Sequence, residues 1–200
     1  YTVGSKLRFD KTPKGKKHKP GRGPLKWNER RILAAENASA LPDGTITFAK
    51  ALQAEGYRTG FFGKWGLDQK GDNAPEQKGF DVSVPMPSYV SHWITPDGKK
   101  KQTDLTKPHK YLSDHLADRA VQFIETNRDK PFLLFYPDYL VHVPLQAKQE
   151  TIDKYRAKTP VGGHRNPAYA AMIEHLDTSC GRILDTLDEL GLTDNTLVVF

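Results

Sequence analysis

Apolar residues recur along this chain in two periods, and the alternation between them predicts an order of elements. In "LPDGTITFAKALQAEG", Ile46, Ala49 and Leu52 fall at helical spacing, Asp43 or Thr45 stands where an N-cap belongs, and Gly56 where the helix should stop. A short strand is predicted over 57–62. Residues 66–110 lose the pattern and read as a polar connection containing "GFD" and "SHW". A second helix is predicted over 111–127, with Leu112, Leu116, Ala120, Phe123 and Ile124 on one face. The run "PFLLFY" (131–136) is continuously apolar, as expected of a strand buried on both faces. A third helix is predicted over 166–190, carrying Ala170, Ile173, Leu176, Ile183, Leu184 and Leu187, and Gly191 ends it. "TLVVF" (196–200) reads as a third buried strand.

Helices alternating with apolar strands predict an α/β fold, an open and mostly parallel sheet with helices on both faces. Ligands of such sheets lie beyond the carboxyl ends of the strands. The first strand runs through Gly63 into Lys64. Two readings stay open for it from position alone: a fixed positive charge in a ligand crevice, or a strand-terminal lysine reaching solvent. His142, in "YLVHVP", lies between the second strand and a proline-fixed turn, and can be a ligand-facing histidine or a capped turn residue.

Composition narrows the class. The chain has 200 residues, 37% of them hydrophobic and 27% charged. That is enough for one sizeable core, and no apolar run approaches the roughly 18 residues of a membrane span. The net charge of +6 is unevenly spread. Residues 1–31 hold eleven of the thirty Lys and Arg and two acids, so they carry +9, and the other 169 residues carry 19 basic and 22 acidic groups. Residues 1–40 are rich in Lys, Gly and Pro without a period and are expected to form a basic loop or insertion. A nucleic-acid platform is not expected there. Tyr1, Phe9 and Trp27 are too sparse for stacking, and the rest of the chain is acidic. Cys180 is the only cysteine, which excludes an intrachain disulfide, and its neighbours place it on a helix as a small core residue. His109, His115, His164 and His175 read as surface or helix-face residues, and His18 belongs to the basic arm.

From residue 41 to residue 200 the motifs resemble those of the sulfatases, arylsulfatase-like members of the alkaline-phosphatase-like α/β superfamily. "TFAKALQAEGYRTGFFGKWGL" resembles the signature T-x-A-x-x-L-x-x-x-G-Y-x-T-x-x-x-G-K-W-H-L-G. "P-x-x-x-GFD" from Pro75 to Asp81, "YLSDHLADRAVQFI", "KPFLLFY", "VHVPLQ" and "YAAMIEHLDTSCGRILDTLDELGLTDNTLVVF" follow in family order.

The resemblance implies the middle part of a sulfatase catalytic domain over 41–200, incomplete at both ends, with 1–40 forming loops near the pocket mouth. It implies hydrolysis of sulfate esters by a formylglycine nucleophile and a calcium ion. The C/S-x-P-x-R segment and the metal ligands that the family uses match no position here, and Cys180 lacks the flanking Pro and Arg. No metal ligand is therefore assigned in this chain, and alone it is expected to be inactive. A periplasmic or extracellular location and a sulfated carbohydrate substrate, small or polymeric, are also implied, without a nucleic-acid or membrane partner.

Residue by residue, Lys64 matches the motif lysine that binds a sulfate oxygen and the nucleophile. His142 matches the histidine that contacts the sulfate ester or protonates the leaving alcohol. Gly66 stands where the common motif has histidine, and His92, in "SYVSHWITP", is the candidate to fill that gap near the substrate, with Ser91 beside it. Three alternatives remain: a phosphate or phosphonate ester hydrolase of the same superfamily, a non-catalytic anion-binding relative, and a basic nucleic-acid-binding protein.

Overall fold

The computed structural model describes residues 40–42, 44–67, 71–85 and 91–200. The chain divides into two compact units, Tyr1–Thr45 and Ile46–Phe200. The predicted basic arm lies outside the described residues. All helices and strands among the described residues belong to the second unit.

Helix α1 (Phe48–Ala54) begins later than its sequence predicts. Thr47 is the N-cap: its hydroxyl accepts from the Lys50 amide at 3.1 Å and donates to the Lys78 carbonyl at 2.6 Å. Ile46 is consequently outside the helix and exposed. Gly56, at φ 86°, ends the helix as predicted, and the Tyr57 amide bonds back to the Leu52 carbonyl. Strand β1 (Arg58–Gly63) follows at once. β2 (Val82–Pro85) and β5 (Phe132–Phe135) flank it on either side, both parallel, in the order β2-β1-β5. β3 (Trp93–Ile94) and β4 (Lys110–Tyr111) form a separate antiparallel pair.

Successive side chains of β1 point to opposite faces. Phe61 enters a cluster with Ala49 of α1 and Phe80. Phe62 enters the main core with Leu112, Leu116, Ala120 and Phe123 of α2 (Leu112–Asn127). The sheet is thus covered on both faces, as predicted for an α/β fold. All five residues predicted for the apolar face of α2 are buried.

α3 (Gln149–Arg156) and α4 (Pro167–Glu189) complete the unit. Asn166 caps α4 by accepting from the Tyr169 amide at 3.1 Å, and Pro167 opens it. Lys154 to Glu174, at 2.7 Å, ties α3 to α4, and Arg182 to Asp118, at 2.6 Å, ties α4 to α2.

Three expectations are corrected. Residues 196–200 form no strand: no ladder partner is found among the described residues, and Leu197 is 89% exposed. β5 is half-buried and not enclosed, because β1 pairs with it on one side only among the described residues. The buried face of α4 departs in part from the predicted one: Leu187 is buried and Ile183 packs on the core as expected, but Ile173 and Leu184 are exposed, and Ala171, Met172, His175 and Ser179 face inward. Among the described residues no helix is long and apolar enough to cross a membrane.

Candidate functional site

The carboxyl ends of β1 and β5 are locked together. Gly63 has φ 142°, and a Cβ there would lie 2.0 Å from the Pro137 carbonyl oxygen. Only glycine permits that approach. The next residue, Lys64, donates its amide to the same Pro137 carbonyl at 2.7 Å. Lys64 is exposed, just beyond the sheet's carboxyl edge. Trp65 turns back and packs edge-on against Phe61, its indole N–H donating to the Asn73 carbonyl at 2.8 Å. Gly66 is exposed, with no atom within 4 Å of where its Cβ would be.

Asp81 of the "GFD" segment holds the other end of the strand. Its carboxylate accepts from the Thr59 amide at 2.9 Å and from Gln53 at 2.8 Å, and pairs with Arg58 at 3.3 Å. That motif builds β1 and lies at the end opposite Lys64.

The loop after β5 carries His142, which is exposed. Its Nδ1 lies 2.6 Å from the Val143 carbonyl oxygen, and since a carbonyl only accepts, Nδ1 carries the hydrogen. Asp138 shapes the start of the loop. It accepts from the Leu140 amide at 2.8 Å, the Ser113 hydroxyl at 2.6 Å and the Tyr136 hydroxyl at 2.9 Å. Ser113 also meets Ser179 of α4 at 2.8 Å. Burial, and then the Asp138 charge, push the Tyr136 hydroxyl far above the ordinary phenol range, so it stays a neutral donor.

His92 is brought to the same loop. It is 2% exposed, and its Nε2 lies 2.7 Å from the His142 carbonyl oxygen. A carbonyl only accepts, so Nε2 carries the hydrogen. Burial holds the imidazole below its ordinary pKa against the raising effects of that bond and of Asp138. The His92 amide donates to Gln146 Oε1 at 2.9 Å, and the Ser91 hydroxyl reaches the Gln102 carbonyl at 2.9 Å and Gln146 Oε1 at 3.3 Å. Gln146, Asp138 and Gly63 were not singled out by sequence. Each sits within or beside a family motif, and that adjacency was the available signal.

His175 lies on α4, as a helix-face residue should, and is buried. Its Nε2 accepts from the Lys148 amide at 3.4 Å, and its ring packs 4.9 Å from that of Tyr111. Cys180 is half-buried on α4, and burial pushes its thiol up.

Calcium takes roughly six to eight oxygen ligands. Among the described residues no group of three or more His, Cys, Asp or Glu side chains could hold a metal ion. The described residues therefore do not fit the ion. Cys180 lies within α4 and lacks the flanking Pro and Arg of the family's nucleophile segment.

The family model for sulfatases matches residues 27–200. Among curated relatives, a sulfatase of Formosa agariphila is 24% identical over 84% of this chain and 40% of its own length. Arylsulfatase G of Mus musculus is 28% identical over 84% of this chain and 37% of its own. The chain thus spans about two-fifths of the length of the curated relatives it matches. A crystal structure of Ps i-CgsB aligns with a TM-score of 0.56 and 26% identity, covering 74% of this chain and 37% of that one. The same protein in complex with k-i-k-neocarrahexaose aligns with a TM-score of 0.61 and 24% identity, over 80% of this chain and 40% of that one.

Proposed function

The chain belongs to the sulfatase family, and from that premise we propose that the protein hydrolyses sulfate esters of carbohydrates, with Lys64 and His142 in contact with the sulfate ester. One observation carries this reading. The Lys64 amide and the Pro137 carbonyl join the carboxyl ends of two parallel strands, which puts the lysine and the loop bearing His142 at one edge of the sheet. That edge is where a parallel α/β sheet receives its ligand.

A sulfate ester keeps negative charge on its oxygens throughout the reaction. The Lys64 ammonium, on a strand end whose backbone is fixed by that bond, stabilises that charge. The alcohol leaves as an alkoxide unless it is protonated. A histidine on the loop beside that edge is the residue type that can deliver the proton, and His142 is assigned that role. A calcium ion of the kind the family uses would add positive charge, but no described residue is assigned to hold one and no step is derived through it.

The carbohydrate reading has two supports. Residues 1–31 carry +9, which attracts a polyanion. Ps i-CgsB, a neighbour at 26% identity, also crystallises with a carbohydrate bound. A highly charged polymer does not cross a bilayer, so the protein that meets it works in the periplasm or outside the cell. The test is turnover by the full-length protein of a sulfated oligosaccharide and of its phosphorylated counterpart. Sulfate release is expected. Phosphate release alone would move the assignment to a phosphate or phosphonate ester hydrolase, since Lys64 and His142 suit either anion.

A further inference from the structure

We propose that His92 is a positioning residue for His142, and that with Gln146 it clamps the loop after β5 to the body of the fold. The inference rests on the reading of His142 as a site residue.

The loop between β5 and α3 has no ladder of its own, so its shape is set by a few specific bonds. Two of them come from the segment just before β3. The His92 ring donates through Nε2 to the His142 carbonyl at 2.7 Å, and the His92 amide donates to Gln146 Oε1 at 2.9 Å. One residue therefore grips the loop at two points, on either side of residues 143–145. Its own position is fixed from elsewhere. The His92 carbonyl accepts from the Leu112 amide at the start of α2, at 2.8 Å. The Tyr111 hydroxyl donates to the Gln146 carbonyl at 2.8 Å, which closes the clamp from the other side. His92 is almost fully buried, so packing fixes its ring, and losing the donor removes the ring's hold on the His142 carbonyl.

Displacing a catalytic group by about 1 Å costs on the order of 10²-fold in rate. A phenylalanine at position 92 keeps the ring and removes the donor. A glutamine places an amide N–H near where Nε2 stands. In the full-length protein, H92F is expected to lower kcat/KM on a sulfate ester by roughly 10²-fold and to shift the ring nitrogen resonances of His142, measured by NMR on protein labelled at histidine. H92Q should return both toward the parent values. Thermal unfolding of each variant separates displacement of the loop from loss of the fold.

A folded H92F with parental His142 resonances overturns the clamp, as does H92Q behaving like H92F. If H92F does not fold, H92Q decides alone: parental His142 resonances support the clamp and shifted ones refute it. If the parent protein releases no sulfate, the sulfatase reading fails separately, and the resonances still decide whether His92 positions His142.

Discussion

The amide of Lys64 donates to the carbonyl of Pro137 across 2.7 Å, joining the residue after β1 to the residues after β5. The bond exists because Gly63 lets the two chains touch. Everything proposed for the site depends on that contact: a cation and a histidine-bearing loop are brought to one edge by backbone geometry, before any side chain is considered.

Replacing Gly63 with alanine is therefore expected to be severe. The added Cβ would fall 2.0 Å from the Pro137 carbonyl oxygen, at a φ of 142° that disfavours any side chain. A loss of about 3 kcal/mol or more in denaturant unfolding is expected. A change below about 0.5 kcal/mol would mean that the strand ends are not locked as described.

Acid should destabilise the fold before its carboxylates titrate. His92, His115 and His175 are all held below the ordinary histidine pKa, in each case mainly by burial, with Lys110 and Arg119 adding to the effect at His115 and Lys148 at His175. Their unfolded forms bind protons more readily than their folded forms. The stability they contribute is thus complete above the unfolded value of about 6.5 and is lost as pH falls below it toward the folded values. Thermal unfolding midpoints measured from pH 8 to pH 5 should fall across the acidic half of the range. Midpoints that hold level or rise on acidification would contradict this.

Salt should slow the reaction on a polymer more than on a small ester. The +9 on residues 1–31 acts at long range, and added electrolyte shortens that range to about 10 Å at 0.1 M. The expected result is a kcat/KM for sulfated oligosaccharides that falls with ionic strength, beside a nearly constant value for a small aryl sulfate. Equal insensitivity of the two substrates would remove the basic segment from substrate capture.

The sequence reading succeeded where local pattern decides structure. Helix α2 was legible because five apolar residues repeat at helical spacing and all five reach the core. The end of β1 was legible because a lysine abruptly follows an apolar run. The failures come from partners that spacing cannot specify. "TLVVF" has strand composition, yet a parallel strand needs a neighbour, and none pairs with it among the described residues. Helix α3 was missed because it buries only Thr151 along its length. The inward face of α4 was misjudged at Ile173 and Leu184, though not at Leu187, because Ser113 meets Ser179 and Tyr111 packs against His175. The bond between His92 and His142 spans fifty residues, so only the folded chain could display it.

The division of labour between Lys64 and His142 is the central claim, and leaving groups test it most directly. A sugar hydroxyl needs a proton to depart, whereas an activated phenol does not. The measurement is kcat/KM of the full-length protein, its Lys64→Ala variant and its His142→Ala variant on a sugar sulfate and on a nitrophenyl sulfate. Lys64→Ala is expected to lower both by a similar factor, on the order of 10²- to 10³-fold. His142→Ala is expected to lower the sugar sulfate far more than the nitrophenyl sulfate. Equal losses on both substrates in the His142 variant, or an unimpaired Lys64 variant, would contradict the account.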